Sequence, residues 1–415
     1  LPLLLWILFP ALTMSLGWGL RGYIGGGPLG AMIPGALVAL ALCLLLERGE
    51  AESATIAAFG AVGVGFGGQM TYGQTVGYSV QADTMWWGLL GLGLKGAIWG
   101  LLAGVVLGLA FEWNRYPRQR VLSGLALMVL GTGIGWKLIN EPKWIYFSNR
   151  LDRPRPEIWA GLLLGALLLL VWLRRCHPSP HPLRFALWGF GGGGLGFFAG
   201  ALLQSLGRQH APTLTSDYWK LMEFTFGFLF GGAWGYCAWQ AREQLSGARP
   251  QTSLQGSQWL PVIAMLLPAG LALAEILPSR FDYTLAGAVL LGIALLSDRA
   301  AWQIAITMTY CAFSIDFLQS RPALNQTALW AAVAVTTLAV GWWVDRRPGV
   351  RPLFLFLLLA SLINSYCKAF APPVPRVPPV SVELSFTALA LLSLAGWWKL
   401  RSRSVSEPVD NKVHA

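Results

Sequence analysis

Apolar runs of about 17–22 residues recur along the whole of this chain, separated for the most part by short turns. A helix of that length crosses a hydrocarbon layer of roughly 30 Å. Within lipid a backbone must satisfy its own hydrogen bonds, which leaves helices and closed barrels as the only spanning structures. A barrel requires alternation with a period of two, and the runs show none. The predicted fold class is therefore an all-α polytopic integral membrane protein. Composition agrees, because charged residues make up 12% of the chain and apolar ones 55%, against about 25% charged in ordinary soluble domains.

The runs fall near 1–18, 27–46, 54–72, 86–111, 120–138, 157–173, 184–206, 218–240, 257–276, 284–297, 301–318, 327–344, 352–370 and 383–399. That pattern predicts about fourteen transmembrane helices, the run at 284–297 being short enough to be half-buried. The first run lacks a basic start and a small-x-small cleavage site, and it matches later runs. It is expected to be a retained span rather than a signal peptide.

Grouped in fours, the runs repeat. With helices a to d in each unit, helix b ends on a basic residue at Arg48, Arg175 and Arg299. Helix c ends in a Gln-containing turn at Gln74, Gln204 and Gln319. Helix d opens at Thr84/Trp87, Thr215/Trp219 and Thr327/Trp330, and closes on tryptophan and arginine at Trp113, Trp239 and Trp343. Helical hairpins thus combine into three four-helix repeats at residues 1–116, 117–245 and 257–347. A terminal helix pair at 352–403 and a cytoplasmic tail at 404–415 complete the predicted organisation.

The net charge of +11 does not mark a nucleic-acid-binding protein. The basic residues lie in short turns, not on one amphipathic face with interleaved aromatics. They read instead as topology signals. Turns after helices b and d, with the tail, hold more than half of the 30 lysines and arginines. Both termini are therefore expected on the cytoplasmic side of a plasma (inner) membrane, although Lys143, Arg150, Arg153 and Arg155 lie in a turn on the other side. The 21 tryptophans serve as interfacial anchors. Cysteine and histidine spacings predict no disulfide framework, metal site or haem, and no cofactor is expected.

Outward turns hold the polar residues that topology does not require. Arg21 sits in GLRGYIGGGPLG, a glycine-rich stretch expected to be too flexible for ordinary helix and able to expose backbone N–H groups beside a cation, as anion sites do. Arg280 and Asp282 occupy the corresponding turn of the third unit, and Glu141 that of the second. Lys95 lies near the middle of helix d of unit one, where an unpaired lysine costs about 2.5–3.5 kcal/mol. It is expected to meet a carboxylate, Glu223 first, or to line a wet cavity. Gln74 and Gln204 are placed to line the same cavity or to join helices by hydrogen bonds. The glycines Gly191–Gly194 predict a break in their helix. Candidate substrate-binding residues are thus Arg21, Lys95, Gln74, Gln204, Glu223, Arg280 and Asp282, with no catalytic residue assigned.

The function these features favour is a transporter or permease for a polar or anionic small solute such as a sugar acid. Two alternatives stand beside it. One is a membrane-embedded enzyme acting on a lipid-linked substrate, with Glu141, Asp152 or Asp282 as its carboxylate. The other is a non-catalytic subunit of a larger membrane complex. Expected partners are membrane lipid and the solute, with a homo-oligomer or complex partner and no nucleic acid. Cysteines introduced at Arg118, Arg175 and Arg346 should escape impermeant thiol reagents applied outside intact cells, while one at Asp152 should react. The reverse pattern would invert the topology.

Overall fold

The computed structural model describes residues 1–23, 27–149, 154–211, 217–247, 256–266, 282–319, 325–370 and 380–406. Among these residues the chain is helical throughout, with no strand. Seven helices are long and apolar enough to cross a membrane by length and composition, which is compatible with a membrane location. The principal elements are α1 (Leu3–Tyr23), α2 (Gly27–Leu45), α3 (Glu50–Gly67), α4 (Gly73–Ser79), α5 (Met85–Ala110), α6 (Arg118–Gly135), α7 (Trp159–Cys176), α8 (His181–His210) and α9 (Tyr218–Gln240). They continue as α10 (Arg242–Leu245), α11 (Asp282–Ala294), α12 (Asp298–Trp302), α13 (Met308–Gln319), α14 (Gln326–Arg346), α15 (Val350–Phe370) and α16 (Val380–Ser406). π-helical turns extend α6 at Trp136–Asn140 and join α12 to α13 at Gln303–Thr307. The run expected at 257–276 lies half outside the described residues.

Apolarity all round a helix implies burial all round, and α2 obeys this: 94% of its apolar window is buried. It lies between α1 and α3. By contrast α6 keeps Leu122, Leu130 and Ile134 exposed, an apolar face suited to lipid. Exposed Trp86 and Trp144 have the chemistry of interfacial anchors.

Small residues let the helices pack backbone to backbone, the mode of association that suits helices in lipid, where no hydrophobic drive brings them together. Along the α5–α8 crossing, Gly96 meets the backbone of Gly193, Gly100 that of Gly189, and Gly104 that of Phe185. The order is antiparallel. On α9, Gly227 meets Met14 and Ser15 of α1, Gly231 meets Pro10, and Gly235 meets Trp6. The predicted break at Gly191–Gly194 is absent. Helix α8 runs unbroken through its glycines, because α5 and α9 press on its backbone from two sides and leave the chain no room to unwind. The first two units also pack differently inside. α2 lies along α3, whereas α7 barely touches α8, which runs along α5 instead.

One end of the bundle is closed by ions and backbone carbonyls. Arg48 donates to Leu245 O (2.7 Å), to Phe111 O (3.2 Å) and to Glu52 (3.1 Å). Glu112 accepts from Ser179, pairs with Arg115 (2.9 Å) and lies 3.6 Å from His181. Burial, reinforced by the Glu112 carboxylate, pushes the nearby Tyr116 hydroxyl up to about 12. The turns after α2, α5, α7 and α9 therefore meet at a single end, which the basic pattern had grouped together. Trp6 at Gly235 and Phe9 at Gly396 bring the start of α1 and the later part of α16 toward this same end.

Replacing Gly100 with leucine should lower the melting temperature sharply, since a side chain there strikes the Gly189 backbone and overpacking costs about 1–3 kcal/mol or more. Gly191→Ala, where added atoms meet nothing within 4 Å, should melt as the parent does. Equal melting of both variants would remove the close-packing account.

Candidate functional site

At the opposite end, a polar layer is enclosed by α1, α4, α5, α8 and α9. Arg21 stands in the last turn of α1, and the helix continues through Tyr23. The expectation of a non-helical stretch around Arg21 is thus corrected. Gly19 and Gly22 stay helical because Phe224 and the Glu223 carboxylate lie against them, where any larger side chain would collide. Residues 24–26 lie outside the described part.

The Arg21 side chain is 1% exposed. Its guanidinium carbon sits 5.6, 5.1 and 5.0 Å from the ring centres of Trp18, Tyr72 and Trp99. Cation–π attraction in so dry a setting reaches about 2 kcal/mol, which helps keep the charge inside. Of the guanidinium's donor groups, Nη1 donates to the Tyr72 hydroxyl at 2.5 Å. Nε has no partner. No carboxylate stands within ion-pair distance of Arg21 among the described residues. A buried guanidinium with unfilled donors is an arrangement that invites an anion.

Glu223 lies two turns into α9. It accepts from Trp219 Nε1 (2.9 Å) and Lys220 Nζ (2.6 Å), and Lys220 also donates to the Gly19 carbonyl (2.9 Å). Antiparallel packing of α1 on α9 puts this carboxylate beside Gly22, where the Arg21 charge reaches it without a direct ion pair. Tyr72 links the two groups and stacks toward Trp219, with ring centres 6.1 Å apart.

Lys95 meets a carboxylate, as expected, but the partner is Glu157 rather than Glu223 (2.8 Å, both side chains 1% exposed). Its other two donors go to Thr71 O (2.7 Å) and Thr75 Oγ1 (2.8 Å). An ammonium has three donors, so all are filled. Glu157 also takes bonds from Ser148 Oγ (2.9 Å) and the Phe147 amide. The pair thus binds α5 to α4 and to the segment before α7. Glu223 is unavailable to Lys95 because Lys220, one turn away on its own helix, already holds it.

Gln74 is on α4, and its Oε1 accepts from the Asn149 amide at 3.2 Å. Gln204 is fully buried on α8 with both amide atoms lacking a partner. It lies between Gly200 and Gly207, which face Met222 and Tyr218 of α9, and next to Ser205, which donates to the Ser79 carbonyl of α4. Arg21, Lys95, Gln74, Gln204 and Glu223 therefore gather at one end of the bundle. Arg280 and the Asp282 side chain lie outside the described residues.

Sequence reasoning passed over Tyr72, Thr71, Thr75, Lys220 and Glu157. Two signals were present. Lys220 and Glu223 stand three apart at a helix start, the spacing of an ion pair. Glu157 is a lone carboxylate at the lip of an apolar run, needing a cation from elsewhere. Among the described residues no three His, Cys, Asp or Glu side chains are grouped to hold a metal. No family model, curated protein or solved structure matches the chain.

Breaking a buried pair by removing one partner costs about 3–5 kcal/mol, while replacing both with apolar groups is often neutral. Lys95→Met and Glu157→Gln should each lower the melting temperature strongly, and Lys95→Met with Glu157→Met should recover most of the loss. Additive losses in the double variant would mean that the pair is not an energetic unit.

Proposed function

We propose that this protein is a multi-pass permease of the plasma (inner) membrane that binds a small anionic solute, such as a sugar acid, in the polar layer, with Arg21 as its anion ligand. The observation that carries this reading is the buried Arg21 guanidinium, held among three rings with donors unfilled. An uncompensated cation inside an apolar bundle is expensive, and a structural role alone would be served by an adjacent carboxylate. Gln204, buried without a partner, supplies a second, neutral donor and acceptor for hydroxyl groups on the solute.

The same reading makes Lys95–Glu157 a structural wall of the site, since its donors are filled. The Arg48 and Glu112 clusters would act as the closure at the other end, and opening either end would release one or the other set of bonds. About fourteen spans in three four-helix units and a final pair remain our organisation for the whole chain. They are supported by the ordered arginine, glutamine, threonine and tryptophan landmarks. Cytoplasmic termini follow from the basic turns. The alternative of an interfacial enzyme finds less support: Glu141 is exposed and occupied by Lys137 at 2.6 Å.

Purified protein on a solid-supported membrane should give transient currents after concentration jumps of sugar acids such as glucuronate and gluconate. Arg21→Gln should reduce them at least about tenfold, the equivalent of one lost charge-assisted hydrogen bond. Currents of parent size in Arg21→Gln, or none in the parent with any anion tested, would overturn the permease reading.

A further inference from the structure

At the end of the bundle that carries the basic turns, the exposed arginines are of two kinds. Arg115 and Arg242 each stand beside a carboxylate, Glu112 at 2.9 Å and Glu243 at 3.2 Å. Arg118 and Arg120 in the first turn of α6, and Arg174 and Arg175 in the last turn of α7, are exposed as well. None of these last four has an ion pair among the described residues. Arginines that only mark topology need no particular neighbours, yet two of these are placed around one indole ring.

Helices α6 and α7 form an antiparallel hairpin in which Gly124 meets Trp172 and Gly135 meets Gly161. Trp172 Nε1 donates to the Arg120 carbonyl at 2.8 Å, and the Arg120 guanidinium carbon lies 5.7 Å from the Trp172 ring centre. Residues three apart on a helix are surface neighbours, so Arg175 leaves α7 beside the same tryptophan. Both guanidinium groups keep their donors, since a ring shelters a cation without accepting a conventional hydrogen bond from it. Inward of the arginines this face turns to hydrocarbon. Val171 stands one turn below Arg175, and Leu127, Leu130 and Ile134 continue the stripe of α6 that Arg120 begins. Val171, Leu130 and Ile134 are 47%, 57% and 41% exposed.

We propose that this end of the α6–α7 hairpin binds an anionic phospholipid, with the phosphate between Arg120 and Arg175 and the acyl chains along Val171, Leu130 and Ile134. Guanidinium groups grip phosphate oxygens with parallel hydrogen bonds, and a tryptophan at headgroup level suits the boundary between the charged and apolar parts of a lipid. A zwitterionic headgroup carries an ammonium or choline cation beside its phosphate, which the unpaired arginines repel. Selection therefore falls on lipids whose headgroup is negative overall. The site lies at the opposite end of the bundle from Arg21. It requires only that the hairpin stands in a bilayer, and it holds or fails independently of the permease reading.

The test is native mass spectrometry of the full-length protein, released from detergent micelles containing equal amounts of dioleoylphosphatidylglycerol and dioleoylphosphatidylcholine. The parent should retain phosphatidylglycerol in preference to phosphatidylcholine. Arg120→Gln and Arg175→Gln should each cut that preference about fivefold, the contribution of one basic residue near an anionic surface, and the double variant should lose it. Arg242→Gln, whose charge Glu243 already meets, and Arg21→Gln should keep it. Val171→Glu, which sets a carboxylate one turn from Arg175, gives a second reading should the double variant fail to fold, and it too should lose the preference. A parent that retains both lipids equally overturns the proposal. So does a preference that survives in the folded double variant or in Val171→Glu, and so does an equal loss in Arg242→Gln, which would make the attraction one of diffuse charge.

Discussion

An ionised group inside an apolar helical bundle must find its compensation within the protein, and most of the polar architecture here answers that demand. Lys95 illustrates it. Its ammonium has three donors, and the chain supplies three acceptors from two separate stretches: the Thr71 carbonyl and the Thr75 hydroxyl from one, and the Glu157 carboxylate from the other. To deliver them, the chain turns after α3, lays the short helix α4 beside α5, and brings the segment before α7 back across the same level. The local course of some ninety residues is thus tied to one nitrogen atom. Without that compensation the group would stand unpaired in a medium that penalises it by several kcal/mol.

Two devices make this compensation possible in a bundle that is otherwise glycine and hydrocarbon. Glycine rows let α5, α8, α1 and α9 approach until backbone meets backbone, so that short polar side chains reach across. Ionic clusters then sit at the two ends of the bundle rather than at its middle: Arg48 with Glu52 and Glu112 with Arg115 at one end, and the Lys95, Lys220 and Glu223 group at the other. At each end the ions also serve as staples between turns that are distant in sequence. Between the ends, close packing is joined by buried hydrogen bonds between helices, such as Trp99 Nε1 to the Val64 carbonyl (2.7 Å) and Trp234 Nε1 to the Phe185 carbonyl (3.1 Å).

Arg21 departs from the pattern that the other buried ions follow. Lys95, Lys220 and Arg48 each have a carboxylate within hydrogen-bonding distance, whereas Arg21 has aromatic faces and one tyrosine hydroxyl. Rings stabilise a cation without consuming its donors. The charge is therefore tolerated while its hydrogen-bonding capacity is kept in reserve. On the permease reading proposed above, that difference, between a cation that is satisfied and one that is only sheltered, is what marks Arg21 as the anion ligand and the others as structural.

Helical class and compatibility with a membrane were legible in the sequence because they depend on length and composition, which are local. The helix over residues 218–240 could be placed to the residue for the same reason. That Lys95 needs a carboxylate was also legible, since the cost of an unpaired ammonium does not depend on its partner's identity. Which carboxylate was not. Glu223 and Glu157 are equivalent as sequence, and only the fold decides that Lys220 claims one while the segment before α7 delivers the other. The glycines of α8 and those flanking Arg21 misled for a related reason. Glycine alone permits a break, and whether the chain takes it depends on neighbours: α5 and α9 hold α8 straight, and Glu223 and Phe224 hold the end of α1. Sequence thus determined which groups had to be buried in helices and which of them needed partners. Tertiary structure alone decided the pairing, because partners for buried charge come from segments far apart in the chain, brought together by packing that no local pattern encodes.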